Sequence, residues 1–393
     1  MLLDIAILLL AAAVFGGMFL PSLRNRPRWR AMITPLASII GSGFLVLGPI
    51  LQSRFGVLAP LAMAALCLVA WAFGAAIRVT IAAESEQATT TVARLQSLSQ
   101  AILAFAYVIS VAYYLNLFGA FAVALTPWNS ELAANLTTTA MLALIGVAGF
   151  RGGFRALERM EYGSVSLKLA IIGGLLVGLA GYFVTRVEAG ALIFSPPTIG
   201  AWDAVRLGFG LIVTVQGFET ARYLGKSYDA PTRIAAMKWA QMLSSAIYMA
   251  YIGLLAFLFA PTSEMLSETA IIDMMRVVSP ILPAMLVAAA LAAQLSAAVA
   301  DTSGAGGLTA ELSRGKLPPQ PAYLALVAAG IVLTWSTDLF AIISYASRAF
   351  AAYYAVQSLL AALHSHGPRR MGFAALALLG VAITVLGTPA EGG

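Results

Sequence analysis

Four ionisable side chains stand inside or near long apolar runs: Lys168, Glu219, Asp301 and Arg348. Charge within a bilayer is costly, so such residues tend to pair, to line water or to carry protons and ions. Glu219, in Gly217-Phe218-Glu219, suits proton carriage, and its structural alternative is a hydrogen bond to nearby backbone. Asp301, followed by Thr302 and Ser303 at the inner end of its run, can pair with Lys168 or emerge into cytoplasmic water. Arg348 lies about ten residues into its run, too deep for easy snorkelling. An outer gate, a pair with an acid and recognition of an anionic group are three readings of it.

Two further motifs offer backbone rather than charge: Ile40-Gly41-Ser42-Gly43-Phe44 and Val213-Thr214-Val215-Gln216-Gly217-Phe218. Both interrupt apolar helices, and irregular backbone at membrane depth is tolerated only where protein buries it or it lines a cavity. Paired interruptions in the two halves of a chain point to a binding site. Gly-Ser-Gly also permits close helix packing. Phe218 and Tyr114 are candidates for closing such a pocket, or for core packing. Enzymatic parts are missing: His364 and His366 share a basic loop, and Cys67 is a lone cysteine in an apolar run. No metal-ligand spacing or cofactor motif accompanies them, so no enzyme, metal or cofactor is expected.

The elements that position these groups follow from composition. The 393 residues are 61% hydrophobic and 10% charged, with a mean hydropathy of +0.89, against about 25% charged residues in soluble domains. Apolar runs at 2–20, 31–51, 57–82, 99–125, 134–150, 164–185, 203–224, 240–260, 279–303, 321–336, 339–363 and 371–388 predict about twelve transmembrane helices. The first run precedes Arg24, Arg26, Arg28 and Arg30, the reverse of a cleaved signal. With its N-terminus outside, eighteen of the 23 basic residues fall on or near the cytoplasmic side. The net charge of +6 therefore reports orientation and requires no nucleic acid. Short loop helices are expected at about 86–96 and 263–276. The two broken spans each open a run of five, and an odd number per half forces opposite orientations. This is the arithmetic of an all-α integral membrane fold with a five-plus-five inverted repeat, residues 31–185 and 203–363. One extra helix precedes it, within residues 1–30, and one follows, within 371–393.

The chain resembles the amino acid-polyamine-organocation (APC) superfamily of permeases. The matching pieces are Gly41-Ser42-Gly43-Phe44, Lys168 within Ser164 to Leu169, Gly217-Phe218-Glu219, Tyr228-Asp229-Ala230-Pro231 and Leu312-Ser313-Arg314-Gly315-Lys316-Leu317-Pro318. They fall in the family's order over roughly residues 31–363. The extra first span and Ser303-Gly304-Ala305-Gly306, where the family carries an arginine, mark a divergent branch. The resemblance implies a secondary transporter of amino acids or related amines in a cell inner membrane. Free N–H groups at Gly41 to Gly43 would meet the carboxylate, helped by the positive end of the following half-helix, and carbonyls of Val213 to Gln216 the ammonium. It also implies that the Lys168 ammonium stands where sodium-coupled relatives bind a cation, so proton coupling or exchange is expected. Lys168 is otherwise a snorkelling residue. A sensor or a channel on the same fold is the rival expectation.

Overall fold

The computed structural model describes residues 2–41, 43–85, 89–151, 161–261, 267–313 and 315–390. Ser42 and the loop charges Arg155, Arg159, Glu264, Arg314 and Glu391 lie outside these. The described residues form helices: α1 Leu2–Met18, α2 Pro21–Arg24, α3 Pro27–Ile39, α4 Gly43–Phe55, α5 Ala59–Ala82, α6 Thr90–Val123, α7 Glu131–Phe150 and α8 Glu161–Glu188. There follow α9 Ala201–Gly210, α10 Ala230–Leu255, α11 Ala270–Val278, α12 Leu282–Leu312, α13 Gln320–Ser336, α14 Leu339–Leu363 and α15 Gly367–Leu386.

The helices start where the sequence supplies caps. Side chains of Thr89, Ser130, Asp229 and Asp338 accept from backbone N–H groups three residues on, opening α6, α7, α10 and α14. Proline occupies the first turn of α3, α5, α12 and α13, where a missing N–H costs nothing. Asp229 sits in a loop, and its hydrogen bonds from Thr232 hold its carboxyl below the ordinary value of 3.8. A lowered folded-state pKa gives stability that is present above 3.8 and lost as pH falls through the folded value. We therefore expect Asp229→Ala to lower the unfolding temperature at pH 7, with the difference from the unaltered protein shrinking below 3.8. Thermal melts in detergent at both pH values check this.

Seven described stretches are long and apolar enough to cross a membrane: Gly43–Ala82, Thr90–Val123, Glu131–Phe150, Tyr162–Glu188, Leu282–Leu312, Leu339–Leu363 and Gly367–Leu386. Leu2–Met18 and Gln320–Ser336 are shorter apolar helices. The packing is inside-out relative to a water-soluble bundle. Ser110, Thr138, Lys168, Gln294, Asp301, Ser347 and Gln357 are buried, whereas Leu61, Leu68, Leu136, Leu144, Leu378 and Val385 are exposed. The chain is thus a multi-pass helical bundle with an apolar outer surface. At its centre α6 packs on α12 and α14, α10 lies against α3 and α5, and α15 leans on α14 at the periphery. The first helix packs along α8, where Gly174, Gly178 and Gly181 leave room for Ile7 and Leu3, and Asp4 accepts a 2.6 Å bond from Ser279.

Of the loop helix expected at about 86–96, residues 86–88 lie outside the described ones and the rest is absorbed. The residues at 90–96 begin α6, which runs on without interruption to Val123. Its 34 residues make a rod of about 51 Å, longer than the roughly 30 Å hydrocarbon core. The polar end continues the helix instead of bending away. Of the second expected loop helix, at 263–276, residues 263–266 lie outside the described ones and the remainder contains α11, Ala270–Val278.

Candidate functional site

The two interruptions are real breaks, and they meet. The first helix of the pair stops at Ile39, Ile40 leaves helical geometry with ψ of 59°, and α4 restarts at Gly43. The second stops at Gly210 and passes through a 3₁₀ turn over Ile212–Val215. It then crosses extended Gln216 and Gly217, with φ of +115°, and resumes as 3₁₀ helix over Phe218–Lys226. A Cβ on Gly43 would lie 2.6 Å from Thr214 Cα, and one on Gly217 would lie 2.6 Å from the Ser38 carbonyl carbon. Backbone therefore touches backbone at both crossings, which only glycine allows.

Distant helices hold the freed backbone groups. The Tyr248 hydroxyl on α10 reaches both breaks, 2.6 Å from the Thr214 carbonyl and 3.0 Å from that of Ile39. Ser347 on α14 accepts from Val213 N–H at 3.0 Å and donates to the Gly210 carbonyl at 2.6 Å, replacing a lost helical bond. Glu219 folds back so that its Oε2 accepts from Gly217 N–H at 3.0 Å and from the Tyr354 hydroxyl at 2.8 Å. That hydroxyl also lies 3.1 Å from Gln216 Oε1. Glu219 is buried, and among the described residues it forms no ion pair.

Of the residues singled out in the sequence, Ile40, Gly41, Gly43, Phe44, Val213, Thr214, Val215, Gln216, Gly217, Phe218 and Glu219 lie at the two breaks. Phe44 stacks on Tyr251 at 4.3 Å and tilts against Tyr248. Phe218 stacks on Tyr354, which in turn stacks on Phe73, so one ring is held between two others. Tyr114 is buried beside Tyr113 on α6. Of the carbonyls from Val213 to Gln216, that of Thr214 accepts from Tyr248 and that of Val213 from Gln216 N–H.

Lys168 on α8 donates to the Ala37 carbonyl at 2.7 Å, in the last turn of α3 before the first break. Asp301 on α12 accepts instead from Ser110 on α6. Ser303 is half-buried one residue beyond Thr302 on the same helix. Arg348 turns away from the breaks although its neighbour Ser347 faces them, and its Nε donates to the Thr384 carbonyl on α15 at 2.6 Å.

A second polar cluster went unread in the sequence because its arginines read only as inner-face charges. Arg222, at the end of the second break, donates to Thr80 at 2.5 Å and to Gln357 at 2.6 Å. Arg233 donates to Glu84 at 2.6 Å and to the Arg222 carbonyl at 2.6 Å. Gln357 continues the chain to Ser99 at 2.9 Å. Both arginines are buried, and the cluster ties α5, α6, α10 and α14 to the second broken helix. Polar residues of α14 at 347, 354 and 357 recur at helical spacing, a signal that the apolar background conceals.

Breaks, internal charges and outward apolar faces together describe a bundle with polar groups at its centre and an apolar outer surface. A family model described as "APC superfamily transporter" matches residues 21–387. The chain belongs to the APC superfamily of transporters. It is also 37% identical over 369 residues, 91% of this chain and 90% of the relative, to an uncharacterized protein of Aquifex aeolicus (strain VF5). As an APC transporter it is a membrane permease and not an enzyme, and among the described residues no cluster of side chains suits a metal ion.

Proposed function

We propose that this APC transporter is a secondary active permease of amino acids or closely related amines. It works by alternating access around the two breaks, with proton coupling or exchange. The observation that carries the reading is the meeting of the breaks, Gly43 on Thr214 and Gly217 on Ser38, with unwound backbone at each. Such backbone can satisfy a carboxylate and an ammonium whose transfer from water otherwise costs several kcal/mol. The reading takes the chain as twelve spans, with α3 to α8 and α9 to α14 as oppositely oriented five-span repeats and α1 and α15 outside them. The N-terminus is outside and the Arg222 end of the bundle cytoplasmic.

Lys168 supports a sodium-free mechanism, since its ammonium rests on a carbonyl beside the first break, supplying in place the positive charge that a bound cation would bring. The Glu84, Arg222 and Arg233 cluster joins the second broken helix to four other helices at one end of the bundle. Access from that end requires these bonds to part. Gln294 supports a polar ligand: it is wholly buried on α12, and among the described residues neither its amide nitrogen nor its oxygen has a hydrogen-bond partner.

Two measurements test the proposal. A thermal-shift panel of amino acids and amines on the purified chain is expected to show stabilisation by at least one of them. Counterflow in proteoliposomes is then expected to exchange that compound, labelled, across the bilayer. Binding without exchange would mean a sensor, and an ion conductance without saturable exchange a channel. Absence of any binding by a folded sample removes the substrate class.

A further inference from the structure

Arg348 presents chemistry that neither the breaks nor the transport cycle uses. It lies about 14 Å along α14 from its Leu339 end. Its Nε caps the Thr384 carbonyl, one of the acceptors left open at the C-terminal end of α15 because Thr388 N–H bonds to Arg206 instead. Thr384 Oγ1 returns a 3.3 Å bond to the Arg348 carbonyl, so the two helices are level here. A guanidinium carries five N–H donors. Among the described residues, the four on Nη1 and Nη2 have no hydrogen-bonding partner and Arg348 has no ion pair.

Arg348 lines a groove of about 850 Å³ on the bundle's flank, between α6, α13 and α14. Apart from Arg348, Tyr345 and Thr384 its wall is apolar, formed by Phe105, Val108, Ile109, Val332 and Leu333 among others. Phe105 and Val332 are more than 60% exposed, so the groove faces laterally. Its direction is set by the helices. Thr384, Tyr345 and Leu333 stand toward the ends of α15, α14 and α13 that share one side of the bundle. Ala352, Ala329 and Ala101 mark the deeper end. Along α6 it extends from Ile109 to Ala101, about 12 Å, close to the roughly 15 Å depth of one leaflet's hydrocarbon.

A planar cation level with Thr384, near the end of α15, and an apolar channel beside it are complementary to one molecule. We propose that the groove binds an anionic phospholipid, its phosphate held by Nη1 and Nη2 of Arg348 and one acyl chain lying along α6 and α13. The guanidinium fork matches phosphate oxygens two at a time, and seating it there satisfies donors that hydrocarbon cannot. The same contact holds Arg348 against Thr384, so the lipid steadies the junction of α14 and α15. Because Ser347 next to it fixes the second break, lipid occupancy bears on the helix that positions the site.

The test uses the full chain in mild detergent, mixed with phosphatidylglycerol or phosphatidylcholine of equal chain length and read by native mass spectrometry. Retained phosphatidylglycerol is expected to exceed phosphatidylcholine by about tenfold, the scale of one charge-assisted contact. Arg348→Gln is expected to abolish that preference. This variant also loses the cap on α15, so Ala352→Trp, which keeps Arg348 and fills the groove, is the second arm. It is expected to lower occupancy by roughly the same factor while the melting temperature stays close to that of the unaltered protein. Equal retention of both lipids, an undiminished adduct in Arg348→Gln, or a dimer that Ala352→Trp dissociates would each overturn the proposal, the last by showing that a second copy covers the groove.

Discussion

Gly217→Ala is expected to destabilise the protein by about 3 kcal/mol or more, the sum of two independent costs. The backbone there has φ of +115°, outside the regions an L side chain adopts, at a cost of about 1–3 kcal/mol. A methyl group would also meet Ser38 and the nitrogen of Ile39, 2.8 Å away. These are backbone atoms of the first broken helix and cannot rotate aside, so overpacking adds about 1–3 kcal/mol. Two controls separate the terms. Gly190 has φ of +59° with nothing within 4 Å of a Cβ, so Gly190→Ala is expected to show only a conformational cost of about 1–2 kcal/mol. Gly253, helical and equally open, is expected to be neutral or slightly stabilised by alanine. Thermal melts in detergent rank the three. A Gly217→Ala melt no lower than that of Gly190→Ala would mean that the two breaks do not touch as described.

The same contact explains what could be read from the sequence. Gly41 to Gly43 and Gln216-Gly217 stand out because an apolar helix has no local reason to contain them, and both lie where the helices break. What holds the breaks was invisible for an equally physical reason. Tyr248, Ser347 and Tyr354 sit 34, 134 and 135 residues from the groups they bond. A tyrosine or serine in an apolar run reads as filler until tertiary packing aims its hydroxyl. Lys168 shows a third case: its position drew attention, but its partner is the carbonyl of Ala37, and a backbone acceptor leaves no trace in residue type.

From the sequence the charges were assigned a side but not a role. Arg222 and Arg233 were read there only as part of an inner-face excess. Folding buries both and spends them on Glu84, Thr80 and Gln357. Arg348, by contrast, stood out as a charge within a span, and the structure directs it sideways to α15 and the lateral groove. Depth within a helix is read from spacing, whereas direction around the helix depends on neighbours that only the fold supplies. The buried Asp301, reached from Ser110 on another helix, follows the same rule.

Glu219→Gln is expected to reduce proton-gradient-driven uptake by at least about tenfold while leaving counterflow of the same substrate intact. The carboxyl is 1% exposed, anchored through one oxygen to Gly217 N–H and Tyr354 O–H. Its acceptors thus sit on the conformationally exposed joint of the second break. Gaining or losing a proton there alters both bonds at once, which couples charge to the geometry of Gly217. Glutamine keeps the shape and one acceptor oxygen, so both bonds survive and the fold is expected to melt within a few degrees of the original; what it removes is the titratable proton. Exchange needs only the loaded transporter to reorient and should persist, whereas net uptake driven by pH requires a group that changes charge between the two faces. Measuring initial uptake with and without an imposed pH gradient, alongside counterflow, separates the two. Loss of both activities in a folded sample would make Glu219 a structural brace of the break. Unchanged uptake with unchanged pH dependence would remove it from the mechanism and leave Asp301 as the buried carboxyl to test next.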